Sequence, residues 1–180
     1  MPELKENHYT SYDYWNLPEG TRAELIDGHL YAMAPPIRIH QELSFSIARK
    51  IADYIDSNDG NCKVYTAPFA VNLNADDTTY VEPDISICDK AKLSYKGCHG
   101  APDFIIEIVS PSSRKMDYIT KNTKYSEAGV REYWIVDPEK ERTTVYHYEK
   151  DVSPTIILFS HPLNSGIYSD FSINISELLK

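Results

Sequence analysis

Residues 104–109 read Phe104-Ile105-Ile106-Glu107-Ile108-Val109, a run of branched and aromatic side chains interrupted by one carboxylate. A nearly continuous apolar stretch of this length marks a strand buried on both faces, at the centre of a sheet. Side chains alternate along a strand, so Glu107 shares a face with Ile105 and Val109. An ionised carboxylate on such a surface is costly unless a cation or hydrogen-bond donors compensate it. The stretch therefore predicts both a central strand and a special position within it.

Downstream, Ser110-Pro111-Ser112-Ser113 offers capping hydroxyls and a proline suited to a helix start. The helix is expected to run to about Ala128, with Gly129 as its stop. Glu132 to Val136 is the next buried strand, closed by Asp137-Pro138, and Thr143 to Tyr148 and Thr155 to Phe159 extend the sheet. A short helix is expected at Ile175 to Leu179. Upstream, Cys62 to Leu73 and Tyr80 to Cys88 read as strands separated by a polar turn at Asn74 to Thr78. Leu43, Ile47, Ile51 and Ile55 recur every four residues beside Ala48 and Ala52, which predicts an amphipathic helix from about Ile37 to Ser57. Asp27-Gly28, between strands Arg22 to Ile26 and His29 to Met33, is a tight-hairpin dipeptide. A first short helix from Thr10 to Leu17 is stopped by Pro18 and Gly20. This order is mixed α/β: one central sheet flanked by at least two helices. No repeat, low-complexity segment or long linker divides the chain, so residues 1–180 are expected to form one domain.

Composition narrows the function classes. No apolar run reaches the roughly 20 residues of a membrane-spanning helix, and the first residues carry no apolar signal core. Cys62, Cys88 and Cys98 are odd in number with no C-x-x-C pair, which argues against a disulfide framework or cysteine zinc site and fits a reducing cytoplasm. The 18 basic residues face 27 acidic ones, a net charge of −9, so the whole-chain field repels a polyanion. A local basic patch around Arg114, Lys115, Lys121 and Lys124 is compatible with that balance, and a bound cation would reverse the sign locally.

Asp84 is the second acid in an unexpected place, following Pro83 inside the strand-like stretch Val81 to Cys88. On neighbouring strands about 4.8 Å apart, Asp84 and Glu107 converge on one point. Close carboxylates raise one another's pKa, and a divalent cation removes that penalty; oxygen ligands suit Mg²⁺ or Mn²⁺. Separate pairing with arginines or turn capping is the alternative. Lys121, on the following helix one turn before Tyr125, can reach the acid pair and stabilise negative charge on a phosphate. A solvated surface lysine is the plainer reading. His40 lies near the buried stripe of the long helix, either as a structural histidine or in contact with substrate or water. Glu24 alternates away from Ala23 and Leu25, and is either a solvent-face acid or a supplementary acid in the cleft.

Four segments together resemble a known family: Glu24-Leu25-Ile26-Asp27-Gly28, Val81-Glu82-Pro83-Asp84-Ile85, Ile106-Glu107-Ile108-Val109-Ser110-Pro111-Ser112, and Ala128-Gly129-Val130-Arg131-Glu132-Tyr133-Trp134-Ile135-Val136-Asp137-Pro138. They are similar to the Uma-two family of bacterial restriction-endonuclease-like proteins, over about Tyr12 to Tyr148. The resemblance implies the PD-(D/E)XK nuclease fold, with Pro83-Asp84 as the PD element and Glu107 as the second acid. It implies Mg²⁺ or Mn²⁺ held by Asp84, Glu107 and the Ile108 backbone carbonyl, with nucleic acid, DNA foremost, as substrate. Val109 occupies the slot of the family's lysine; Lys121 is the natural substitute, with Glu24 and His40 in support. A homodimer would suit the cutting of two strands. The rival expectation is a non-catalytic nuclease-derived module that binds a protein partner or nucleic acid.

Overall fold

The computed structural model describes residues 8–180, so the first seven residues of the expected 1–180 unit lie outside the described residues. Helix α1 (Ser11–Trp15) precedes the hairpin of β1 (Ala23–Ile26) and β2 (His29–Ala32), and then the long helix α2 (Arg38–Ser57). Strands β3 (Cys62–Thr66), β4 (Val71–Asn72), β5 (Tyr80–Val81), β6 (Ile85–Asp89), β7 (Leu93–Ser94), β8 (Gly97–His99) and β9 (Phe104–Ile108) follow. A π-helical turn, Met116–Lys121, runs into α3 (Asn122–Ala128). Then come β10 (Glu132–Asp137), β11 (Arg142–His147), β12 (Thr155–Leu158), β13 (Leu163–Asn164), β14 (Ser172–Ile173) and α4 (Ile175–Leu178).

The class is mixed α/β as expected, but the single central sheet is two. One sheet has the order β12-β11-β10-β9-β6-β3, the other β2-β1-β5-β4-β8-β7, and β13 pairs with β14 alone. Both upstream stretches read as unbroken strands are divided between the two large sheets. Cys62 to Leu73 breaks around Pro68 and Tyr80 to Cys88 breaks at Pro83, since proline gives a ladder no N–H. The helix expected from Ser110 is also altered: a serine-rich turn and the π-helical turn precede the regular α-helix, which Gly129 ends at φ 91°. The Asp27-Gly28 hairpin forms as read, with φ of 49° and 78°, the left-handed pair its turn requires.

Alternation on β9 and β10 sorts the core into two layers. Phe104, Ile106, Ile108, Trp134 and Val136 pack against Leu43, Ile47 and Ile51 of α2. On the other face, Ile105, Val109, Tyr133 and Ile135 pack with Tyr125 of α3 and with Ile26, Val71 and Val81 of the second sheet. Glu107 therefore projects between the sheets, on the face its spacing predicted. No helix among the described residues is long and apolar enough to cross a membrane.

Glu132 is a second wholly buried acid of this central region, and its surroundings are those of a structural anchor. One carboxylate oxygen accepts the Trp134 indole N–H at 2.6 Å; the other accepts Ser165 Oγ at 2.9 Å and the Gly166 and Ile167 N–H groups at 2.8 and 3.1 Å. The bonds pin the segment 165–167 to the sheet. Glu132→Ala would strand several buried donors, so urea unfolding should show a loss of about 3 kcal/mol or more; a loss within about 0.5 kcal/mol, the range of ordinary surface substitutions, would contradict the anchoring role.

Candidate functional site

The crossing between the sheets builds the site. Asp84 emerges one residue before β6, whose Ile85 pairs with Ile106, so it stands beside Glu107 of the adjacent strand. Its N–H donates to Glu107 Oε2 at 3.2 Å. Its Oδ2 accepts the Ile108 N–H at 2.7 Å and meets His40 Nε2 of α2 at 3.0 Å. Glu107 Oε1 accepts from Lys121 Nζ at 2.9 Å and from the Tyr125 hydroxyl at 2.7 Å. Lys121 Nζ also bridges Glu24 Oε1 at 2.8 Å and lies 3.8 Å from Asp117 Oδ1. Glu24 Oε1 takes the Glu82 N–H at 2.9 Å, tying the lysine to the crossing itself.

Electrostatics follow from enclosure. Burial pushes the Glu107 carboxyl well above the usual range; Lys121 opposes the shift, while Asp84, Asp117 and Glu24 add to it. Burial alone would discharge Lys121, but Glu107, Glu24 and Asp117 outweigh it and hold its pKa well above normal. Asp117 is pushed up to about 6, chiefly by burial, with Asp84 and Glu24 adding to the rise and Lys121 and Ser113 opposing it. Burial also disfavours an imidazolium at His40, yet the Asp84 bond and charge, Asp117 and the Ile108 carbonyl together raise its pKa. Four carboxyls thus surround one ammonium and one imidazole. Such an oxygen-rich, over-negative cluster fits a hard divalent cation. Among the described residues no three His, Cys, Asp or Glu side chains could hold a metal ion by themselves. A divalent cation held here would take one or two carboxylates, with water oxygens filling its remaining positions.

All five residues singled out in the sequence come together here: Asp84, Glu107, Lys121, Glu24 and His40. Ile108, whose carbonyl is the expected third ligand, meets the site through its N–H, which donates to Asp84 Oδ2. Lys121 is buried, not the solvated lysine of the plainer reading, and Glu24 is an interior acid, not a solvent-face one. Alternation misleads for Glu24 because β1 lies between β2 and β5 and is buried along its whole length; Glu24 shares the face of Ile26, beneath α3. The basic patch drawn around Arg114, Lys115, Lys121 and Lys124 does not form: Lys121 is internal, and Lys124 pairs with Asp27 at 2.7 Å. Asp117 and the Tyr125 hydroxyl escaped the sequence reading. Their signal was the spacing Asp117, Lys121, Tyr125, four residues apart and so on one helical face.

Removing the ammonium tests this arrangement apart from any activity. Lys121→Met leaves three buried acids without their cation and should cost about 3–5 kcal/mol in urea unfolding. Combined with Glu107→Gln, the two losses should fall short of additivity by about 1 kcal/mol or more. Strict additivity would mean that the two groups do not interact.

Comparison with known proteins accords with this geometry. The profile of the Uma2 family, described as "putative restriction endonuclease", matches residues 9–170. No curated protein matches. Among solved structures, the crystal structure of a "putative nuclease belonging to DUF820" from Anabaena variabilis ATCC 29413 is similar at a TM-score of 0.74 and 20% identity, over 94% of this chain and 96% of that one. That likeness shows a shared mixed α/β, restriction-endonuclease-like fold. With nine-tenths of its length matched, the chain belongs to the Uma2 family.

Proposed function

We propose that the chain is a Mg²⁺- or Mn²⁺-dependent endonuclease, a phosphodiester hydrolase acting on nucleic acid, with DNA as the expected substrate. The observation that carries this reading is the meeting of Asp84 and Glu107 across adjacent strands, with a buried ammonium on Glu107. Asp84, Glu107 and the Ile108 carbonyl would hold the cation, which supplies Lewis-acid polarisation of a phosphate and acidification of water. Lys121 favours ionised Glu107 over the neutral acid that burial alone would leave, and stabilises negative charge developing on the phosphate. Glu24 and Asp117 position the ammonium from either side, and His40 fixes the rotamer of Asp84. Residues 1–180 act as one domain in this reading. The three reduced, buried thiols suit a bacterial cytoplasm. A homodimer would present two sites to two strands, and the exposed Ile156 and Leu158 on edge strand β12 supply apolar surface for it.

One observation favours the rival, a nuclease-derived module that binds a protein partner or nucleic acid without cutting. Glu107 and Lys121 are only 3% and 4% exposed, so substrate reaches them only past the partly open Asp84 and His40. Cleavage of supercoiled plasmid in Mg²⁺, in Mn²⁺ and in chelator separates the two readings. The enzyme should nick DNA only with metal, and Asp84→Asn or Glu107→Gln should each slow it on the order of 100-fold or more. Binding without nicking under every condition would establish the rival.

A further inference from the structure

A cavity of about 480 Å³ opens on the outer side of the π-helical turn, away from the acid cluster. Four cations line it, Arg114, Lys115, Lys140 and Arg142, together with the apolar surfaces of Pro111, Tyr118 and Ile119. On a chain of net charge −9, four cations around one cavity are a local reversal of sign. Arg114 is held by Asp137 and by Glu139, the latter at 2.8 Å. Lys115, Lys140 and Arg142 have no ion pair among the described residues. The Arg142 Nε is buried without any hydrogen-bond partner, a donor that a native fold rarely leaves idle.

The cavity has a defined relation to the site. Within one turn, Asp117 and Lys121 are buried toward the acids, whereas Tyr118 and Ile119 line the cavity. Strands β9 and β10 run parallel, so Glu107 and Asp137 lie toward the same end of the sheet, and Arg142 pairs with Asp137 from β11. Two strand spacings place Arg142 on the order of 10 Å across the sheet from the Glu107 strand. A strand covers that span within a few nucleotides. A polynucleotide with one phosphate at the acids would carry its flanking residues across the cavity.

We infer that this cavity binds the flank of a single-stranded nucleic acid, its phosphates on Lys115, Lys140 and Arg142 and an unpaired base against Tyr118 and Ile119. The inference rests on the nuclease reading for the class of ligand. Single strands are favoured because the phosphate edge of a duplex satisfies the cations but leaves the apolar lining bare. An unpaired base fills that lining, and cationic grooves with an aromatic platform bind single strands in this way.

Fluorescence anisotropy in chelator tests this without any cleavage, using the full chain with a labelled single-stranded 12-mer and with the same sequence as duplex. The single strand should bind at least fivefold tighter than the duplex. Lys115→Glu with Lys140→Glu, both exposed positions, should weaken it at least tenfold and flatten the log–log salt dependence by a slope of about 1.4, roughly 0.7 per phosphate contact. Tyr118→Ala should weaken the single strand at least fivefold and leave the duplex unchanged. Unaltered thermal melting of each variant guards against misfolding. Equal affinity for both forms, or single-strand binding indifferent to these substitutions, overturns the inference even if metal-dependent cleavage is found. Cavity-dependent binding with no cleavage in any metal would uphold it while removing the hydrolase reading.

Discussion

The Lys121 ammonium, enclosed among the carboxylates of Glu24, Glu107 and Asp117, is the interaction on which the rest of this structure turns. It joins three separate pieces of chain: β1 of one sheet, β9 of the other, and the π-helical turn between β9 and α3. Each acid would be costly alone in this interior, and so would the lysine. Together they offset one another, but incompletely, because the acids outnumber the cation. The residual negative charge gives a divalent cation a physical reason to bind beside Asp84.

The scaffold accommodates this cluster by separating its tasks. The face of β9 bearing Phe104, Ile106 and Ile108 is given wholly to packing against α2, so the opposite face can carry Glu107 without loss of the core. Glu132 shows what a purely structural buried acid looks like in the same sheet. Its oxygens are filled by neutral donors from Trp134, Ser165, Gly166 and Ile167. Glu107 instead has a lysine, a tyrosine and three acidic neighbours, and burial drives its carboxyl upward. Burial is common to both residues; the surrounding charge distinguishes them.

Much of the site was legible in the chain because acids in apolar runs are conspicuous. Glu107 interrupts five apolar residues, and Asp84 follows a proline in a strand-like stretch. Lys121 was reachable through helical spacing and through the family likeness, which moves the lysine from the Val109 slot. Asp117 was hidden, since an acid in the first part of a helix normally reads as dipole complement or solvent face. The two-sheet division was missed because the stretches holding Pro68 and Pro83 were each read as one unbroken strand, when each proline marks a change of sheet. Glu24 shows the limit of alternation: period two tells which residues share a face, not whether the opposite face is covered. The basic cavity needed tertiary structure, since Arg114 and Lys115 meet Lys140 and Arg142 only through the packing of the π-helical turn beside β10 and β11.

Asp84 and Glu107, held by this lysine-centred network, are proposed to form a cation site. Isothermal titration of the full chain with Mn²⁺ tests it most directly. One cation should bind per chain, and binding should be lost in Asp84→Asn and in Glu107→Gln while both variants remain folded by circular dichroism. Absence of binding to the wild-type chain, or binding undiminished in both variants, would contradict it.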